Sequence, residues 1–381
     1  MTGTPNHTAT TRHLLARYWE SARGYWTGAA AWRAWLLAAL LVAIMLLQIL
    51  VQYRLNYWNR DFFDALERRN AGELWRQVLS FAPLAASSIA LAVFSVWGRM
   101  TMQRRWRAQL TDRLYDDWLA DDRYRKLRFV PGEHQTPEFR IAEDARVATD
   151  LPIDLVLGLL NSIITAVTFI GVLSSVGGDL DLRRWGVAAT VPSYLTVSVV
   201  LYSLLVTTSM LVLARDLPHV WEENKRTEAE LRSIGSHLRE KGEGTALPDG
   251  REDGRSVIRR ALAQVLQRWV DLCHQLMRTT LVSHSSTILS PVVGLLLCTP
   301  QYLAGTMTLG QVVQAAAAFA VVHGAFSWVT DNYARLAEWT ASAHRVATLL
   351  LALDEVDGVD RSGNHVADRH RDPALRQPQG D

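Results

Sequence analysis

Few side chains in this sequence could carry proton chemistry inside a membrane. Asp154, His284 and His323 lie in or at the edge of long apolar runs, and Asp331 and Glu338 follow the last run. An ionisable group within a bilayer costs about 2.5–3.5 kcal/mol on insertion scales, so each is a functional candidate by default. A carboxylate or imidazole whose pKa crosses neutrality between two conformations could couple a proton gradient to solute movement. His323, between Val322 and Gly324 deep in the final run, fits that task best by position. The competing reading makes it a helix–helix hydrogen-bonding residue, admitted by the small neighbours Gly324 and Ala325. His284 stands among Ser283, Ser285 and Ser286, which favours packing. No H-E-x-x-H motif or comparable nucleophile, metal or His–acid cluster occurs, so no metal, cofactor or lipid-processing activity is expected.

These groups need a scaffold, and hydropathy supplies it. The chain has 381 residues and is 49% hydrophobic, yet its mean hydropathy is only +0.02. That combination fits apolar segments alternating with charged ones. About 20 apolar residues span a bilayer, and six segments qualify as spans: 34–51, 81–97, 151–177, 185–214, 281–303 and 307–330. The second is short and interrupted by Pro83. Residues 1–30 read as a polar N-terminal segment with no cleavable signal, 31–353 as one all-α transmembrane domain, and 354–381 as a disordered polar tail. The two cysteines, Cys273 and Cys298, imply no disulfide framework.

Loop charge gives an orientation. Arginines crowd 99–150 and 215–278, whereas the connection between spans three and four offers only Arg183 and Arg184. Both termini and both large loops are therefore expected on the cytoplasmic side. Arg54, Arg60, Arg68, Arg69 and Arg76 then fall outside, interleaved with Asp61, Asp64, Glu67 and Glu73 as in a self-neutralising interfacial helix. Net charge is only +2, and no nucleic-acid partner is expected. Met100 to Lys126, Leu217 to Arg239 and Ser256 to Thr280 read as helical continuations of the spans into the cytoplasm. They are broken near Pro131-Gly132 and between Gly242 and Gly250.

Several stretches carry a resemblance. Asn56-Tyr57-Trp58-Asn59-Arg60-Asp61-Phe62-Phe63-Asp64-Ala65-Leu66 follows span one. Leu217-Pro218 leads to Asn224, Arg226, Glu228, Ala229 and Arg232. Ala304-Gly305-Thr306-Met307-Thr308-Leu309-Gly310 precedes Gly324-Ala325-Phe326, Glu338 and Arg345, while Arg140-Ile141-Ala142-Glu143-Asp144 precedes span three. In order and spacing the set resembles the SbmA/BacA peptide-transporter family and the related fused permease–ATPase ABC exporters. The resemblance covers roughly Leu47 to Leu350.

It implies six helices of ABC-exporter type, a domain-swapped homodimer in a bacterial inner membrane, and transport of peptides or similarly bulky solutes. No phosphate-cradling G-x-x-x-x-G-K-[ST] loop occurs, so ATP hydrolysis on this chain is not expected. A proton gradient is the expected drive; the alternative is a permease subunit powered by a separate ATP-binding chain. Through the resemblance Glu143, Asp144, Glu228 and Glu338 join His323 and Asp154 as candidates for coupling or gating. Salt bridges to Arg140, Arg146, Arg232 or Arg345 would be their structural reading. Asn56, Trp58, Asp61, Phe62 and Asp64 are expected to shape the outer mouth or to anchor aromatic rings at the membrane boundary.

Overall fold

The computed structural model describes residues 17–28, 31–127, 136–178, 180–181, 190–191, 193–242 and 248–369. The expected break at Pro131-Gly132, Arg183 and Arg184, residues 243–247 of the Gly242-to-Gly250 loop, and residues 1–16 and 370–381 lie outside the described residues.

Seven long helices run through the described residues: α1 (Ala31–Glu67), α2 (Ala71–Leu119), α3 (Ala145–Gly177), α4 (Tyr194–Ala214), α5 (Leu217–Gly242), α6 (Pro248–Leu303) and α7 (Leu309–Arg369). Among the described residues, six helical segments, with α4 and α5 counted together, are long and apolar enough to cross a membrane. Their outward faces agree, since Ile89, Val93, Trp97 and Met100 of α2 are all more than half exposed. Such a continuous apolar stripe suits hydrocarbon and not water. At 1.5 Å per residue the 56-residue α6 is about 84 Å long, far beyond the roughly 30 Å of a bilayer core.

Local chemistry explains where these helices start and turn. Pro83 lies within α2, which passes through it unbroken. Pro248, at the first position of α6, needs no N–H partner there, so Pro248-Asp249-Gly250 form a helical turn and not open loop. The fourth span begins at Tyr194, later than the hydropathy boundary at residue 185. Ahead of it, Leu180 and Asp181 pair antiparallel with Val191 and Thr190, and Val191, preceding Pro192, is steered toward extended backbone. Before α3, Arg140–Asp144 form a π-helical turn. The expected acidic motif thus occupies an irregularity of the kind frequent at functional sites.

The chain divides into two compact units. One comprises the described residues up to Gln52, Ala82–Asn161, and those from Asp331 onward. Trp106, Leu110 and Leu114 of α2 pack there with Ile141, Ala145, Leu349, Leu350 and Leu353. The segment around residues 17–27 straps this core: Tyr18 Oη donates to Ala148 O at 2.6 Å and Trp106 Nε1 donates to Ala22 O at 3.2 Å. Burial holds the Tyr18 hydroxyl well above its ordinary pKa. Arg17 donates twice to Asp354, at 2.8 and 2.9 Å, and Val356 is buried in the same core. Residues 354–369 of the expected disordered tail carry helical backbone, and Asp354 at its start is held by a long-range pair that sequence pattern does not reveal. The other unit comprises Tyr53–Phe81 and Ser162–Thr330, around Phe169, Leu173, Leu195, Cys298 and Phe319.

Candidate functional site

In the second unit, two separate sequence motifs prove to be one clamp. The end of α1 meets the beginning of α7, where four backbone N–H groups lack intrahelical partners. Asp64 Oδ1 accepts the Gly310 N–H at 2.9 Å, and Glu67 Oε2 accepts the Leu309 N–H at 3.0 Å. The helix also caps itself: Gln311 Oε1 accepts from Thr308 N–H at 2.9 Å, while Thr308 Oγ1 accepts from Gln311 N–H at 3.3 Å. This reciprocal box and two carboxylates at a positive helix end stabilise one another's geometry. Gly310 is required by proximity, because a Cβ there would collide with Arg60 O and the Asp64 carboxylate. Tyr302 Oη donates to the other Glu67 oxygen at 3.3 Å.

The remaining motif residues are engaged differently. Asn56 is buried and its Nδ2 donates to Gln314 O at 3.1 Å. Trp58 donates through Nε1 to Gln77 O at 2.8 Å, and its ring lies 5.2 Å from Phe62 and 4.8 Å from Phe81. Among the described residues Asp61 pairs with the adjacent Arg60 alone, at 3.1 Å, and does not reach α7. Asn56 Oδ1 and both polar side-chain atoms of the fully buried Gln314 have no partner among the described residues.

His323 sits in this same unit on α7. Its ring is buried, with Nδ1 3.4 Å from Ser203 Oγ and the Tyr202 ring 5.0 Å away edge-on. Tyr202 in turn donates to Ser286 O at 2.9 Å. The imidazole therefore packs between α4 and α7, with no carboxylate beside it among its recorded contacts. Glu228, also in this unit, accepts from Asn224 Nδ2 one turn away at 3.3 Å and forms no ion pair with Arg232. The α5–α6 tie is made instead by Arg268 and Glu223, at 3.2 Å.

The first unit holds a second constellation, built from α2, α3 and α7. The π-helical turn aims Asp144 at Arg345, which donates from Nε and Nη2 at 2.9 and 2.6 Å. Ser342 Oγ takes a further Arg345 bond at 2.9 Å, and Arg140 Nη1 donates to Arg345 O at 3.3 Å. The Asp144 side chain is only 4% exposed, so this pairing is deep and bidentate. Three turns along, Asp154 receives Arg335 Nη2 at 2.6 Å, Gln103 Nε2 at 2.9 Å and the more distant Arg99 Nε at 3.4 Å. Glu143 pairs with Arg146 on its own helix. Glu338 is exposed and makes no ion pair among the described residues, though its charge acts on Arg146 and Arg345.

The structure thus joins Asn56 and Asp64 in one place and Asp144 with Arg345 in another, while Glu228 and Asp61 stay apart from both. Glu67, Gln103, Arg99, Arg335 and Gln314 were not singled out from sequence. Of these features the cap alone had a readable signal, Thr308-x-x-Gln311, a capping box ahead of an apolar run.

The family described as ABC transporter transmembrane region 2 matches residues 26–303. Among relatives, the inner membrane ABC transporter ATP-binding protein YddA of Escherichia coli (strain K12) is 28% identical over 344 residues, covering 88% of this chain and 60% of that protein. An uncharacterized ABC transporter ATP-binding protein of Haemophilus influenzae is 20% identical over 322 residues, covering 84% of this chain and 54% of its own length. ABC transporter D family member 2, chloroplastic, of Arabidopsis thaliana is 20% identical over 342 residues, 90% of this chain and 46% of the relative. The chain spans about half the length of the curated relatives it matches.

Proposed function

Because this chain belongs to the ABC transporter transmembrane region 2 family, we propose that it forms the membrane-crossing half of an exporter-type transporter for peptides or similarly bulky solutes. Its working unit is a homodimer in a bacterial inner membrane, with both termini cytoplasmic. The observation that carries this reading is helix length. Six apolar segments continue as polar helices well past a bilayer, and α5 is tied to α6 by Arg268–Glu223. Extensions of that kind carry movement between a membrane cavity and a soluble motor.

The motor proposed is an ATP-binding domain, joined to this polypeptide or supplied by another. Several relatives are named as ABC transporter ATP-binding proteins, which supports ATP over the proton gradient expected from sequence. So do the acidic candidates, since Asp144 and Asp154 are engaged by arginines that fasten α3 to α7. The proton-driven alternative is favoured by one observation, the buried imidazole of His323 facing the Ser203 hydroxyl.

Within this account the α1–α7 clamp is the outer latch. Its bonds release at modest cost when the outer end opens, whereas the Asp144–Arg345 tie is a permanent brace. Uptake of a labelled antimicrobial peptide into proteoliposomes tests the energy source. Accumulation that requires ATP and an ATP-binding partner supports the reading. Accumulation driven by an imposed pH gradient alone, lost on adding a protonophore and in His323→Asn, replaces it with the proton-driven one.

A further inference from the structure

One basic surface has no counterpart among the contacts described so far. On α2, Val93, Trp97, Met100 and Arg104 recur at spacings of four, three and four residues and so share one helix face. The first three are 63%, 58% and 61% exposed, and Arg104 is exposed in continuation of them. The lipid-facing stripe therefore ends in an arginine, with the exposed Arg105 beside it. On α1 the exposed Trp32 carries the Arg33 guanidinium over its ring at 5.4 Å.

The three arginines Arg33, Arg104 and Arg105 lie at similar depth. A Cβ on Gly98 of α2 would stand 3.5 Å from Leu41 Cγ of α1, so the helices touch there. Trp26 bridges them again further along, 5.4 Å from Trp35 and 5.9 Å from Trp106, so α1 and α2 run in opposite directions. From the Leu41–Gly98 contact, Arg33 lies about 12 Å back along α1 and Arg104 about 9 Å forward along α2. Among the described residues, Arg33, Arg104 and Arg105 form no ion pair and no side-chain hydrogen bond. Their neighbours behave otherwise: Arg107 donates to Ala142 O in the π-helical turn at 3.4 Å, and Arg99 reaches Asp154.

We propose that Arg33, Arg104 and Arg105, framed by Trp32, Trp97 and Met100, bind the phosphate headgroups of anionic phospholipids in the cytoplasmic leaflet. The surface continues an acyl-facing stripe without interruption, so its occupant has both a hydrocarbon tail and a headgroup. Guanidinium groups match phosphate oxygens in geometry and charge. Tryptophan favours this boundary depth, and basic residues just inside the bilayer are drawn to its anionic leaflet. The site is independent of which solute moves and of what powers the movement.

The test is native mass spectrometry of the full chain in detergent with equimolar phosphatidylglycerol and phosphatidylethanolamine. The wild-type protein retains phosphatidylglycerol preferentially. Combining Arg33→Gln, Arg104→Gln and Arg105→Gln lowers that preference by roughly tenfold, while the melting temperature in lipid-free detergent stays unchanged. The three corresponding lysine substitutions keep most of the preference, and Arg54→Gln with Arg68→Gln and Arg69→Gln keeps it in full. Absence of a wild-type preference, or its persistence in the glutamine variant, overturns the proposal. A glutamine variant that changes oligomeric state with lipid preference intact also overturns it, and identifies the surface as a contact between copies.

Discussion

The clamp near residues 64–67 and the network around Asp144 both use carboxylates to fasten α7, but on different terms. At the clamp, Asp64 and Glu67 hold backbone N–H groups of a helix end, with Glu67 exposed. Carboxylates at such ends contribute about 0.3–1 kcal/mol each, so the pair can be released at small cost. At the network, Asp144 is almost wholly buried and grips Arg345 through two nitrogens. Removing one partner of a buried pair costs several kcal/mol because the other charge is stranded. The difference separates a latch from a brace.

The sharpest way to break that contrast is Asp144→Asn. Discounting for the 41% exposure of Arg345, a loss of about 2–3 kcal/mol is expected, read as a lower melting temperature in detergent. Adding Arg345→Ala to an Asp144→Ala background should cost far less than the same change costs in the wild-type chain, as a double-mutant cycle would measure. A silent Asp144→Asn would remove the distinction altogether.

Gly310→Ala comes next. Its Cβ must displace Arg60 O or the Asp64 carboxylate, so the clamp opens at a cost of about 1–3 kcal/mol. Thiol labelling at Leu309→Cys, with Cys273 and Cys298 changed to Ser, should rise in that background. Asp64→Asn keeps the shape but removes a charge from the helix end. It should weaken the latch by less than 1 kcal/mol and increase labelling only modestly. An effect of Asp64→Asn larger than that of Asp144→Asn would invert the comparison.

The smallest effect is expected at Gln314. Its buried amide has no partner, and Asn56 bonds its backbone carbonyl, which a substitution leaves in place. Gln314→Leu should raise the melting temperature slightly, by about 1 kcal/mol of stability. A large loss of stability instead would mean that the amide holds something the chain needs.

How much of this was legible follows from the range of each interaction. That apolar helices lie at spans one, five and six could be read, because about 20 apolar residues announce themselves whatever surrounds them. Where the helix of span four starts could not, since hydropathy does not register that Val191 before Pro192 is steered toward extended backbone. The motif Asn56 to Asp64 was visible as a motif, and its partner at Gly310 was visible as another. That Asp64 caps Gly310 depends on two helices meeting across 246 positions, which no local pattern encodes. Glu338 and Arg345 were both noted, but the π-helical turn at Arg140–Asp144 aims Asp144 at the arginine and leaves Glu338 exposed.

The most direct test of the latch is a reversible lock. Cysteines introduced by Glu67→Cys and Leu309→Cys, in a chain with Cys273 and Cys298 changed to Ser, would be oxidised in proteoliposomes and peptide transport measured before and after reduction. The account expects no transport while the disulfide is closed and recovery on reduction, because the outer end must open for solute to pass. Equal transport in the oxidised and reduced states would contradict it, and the clamp would then be a static fastening like the Asp144–Arg345 tie.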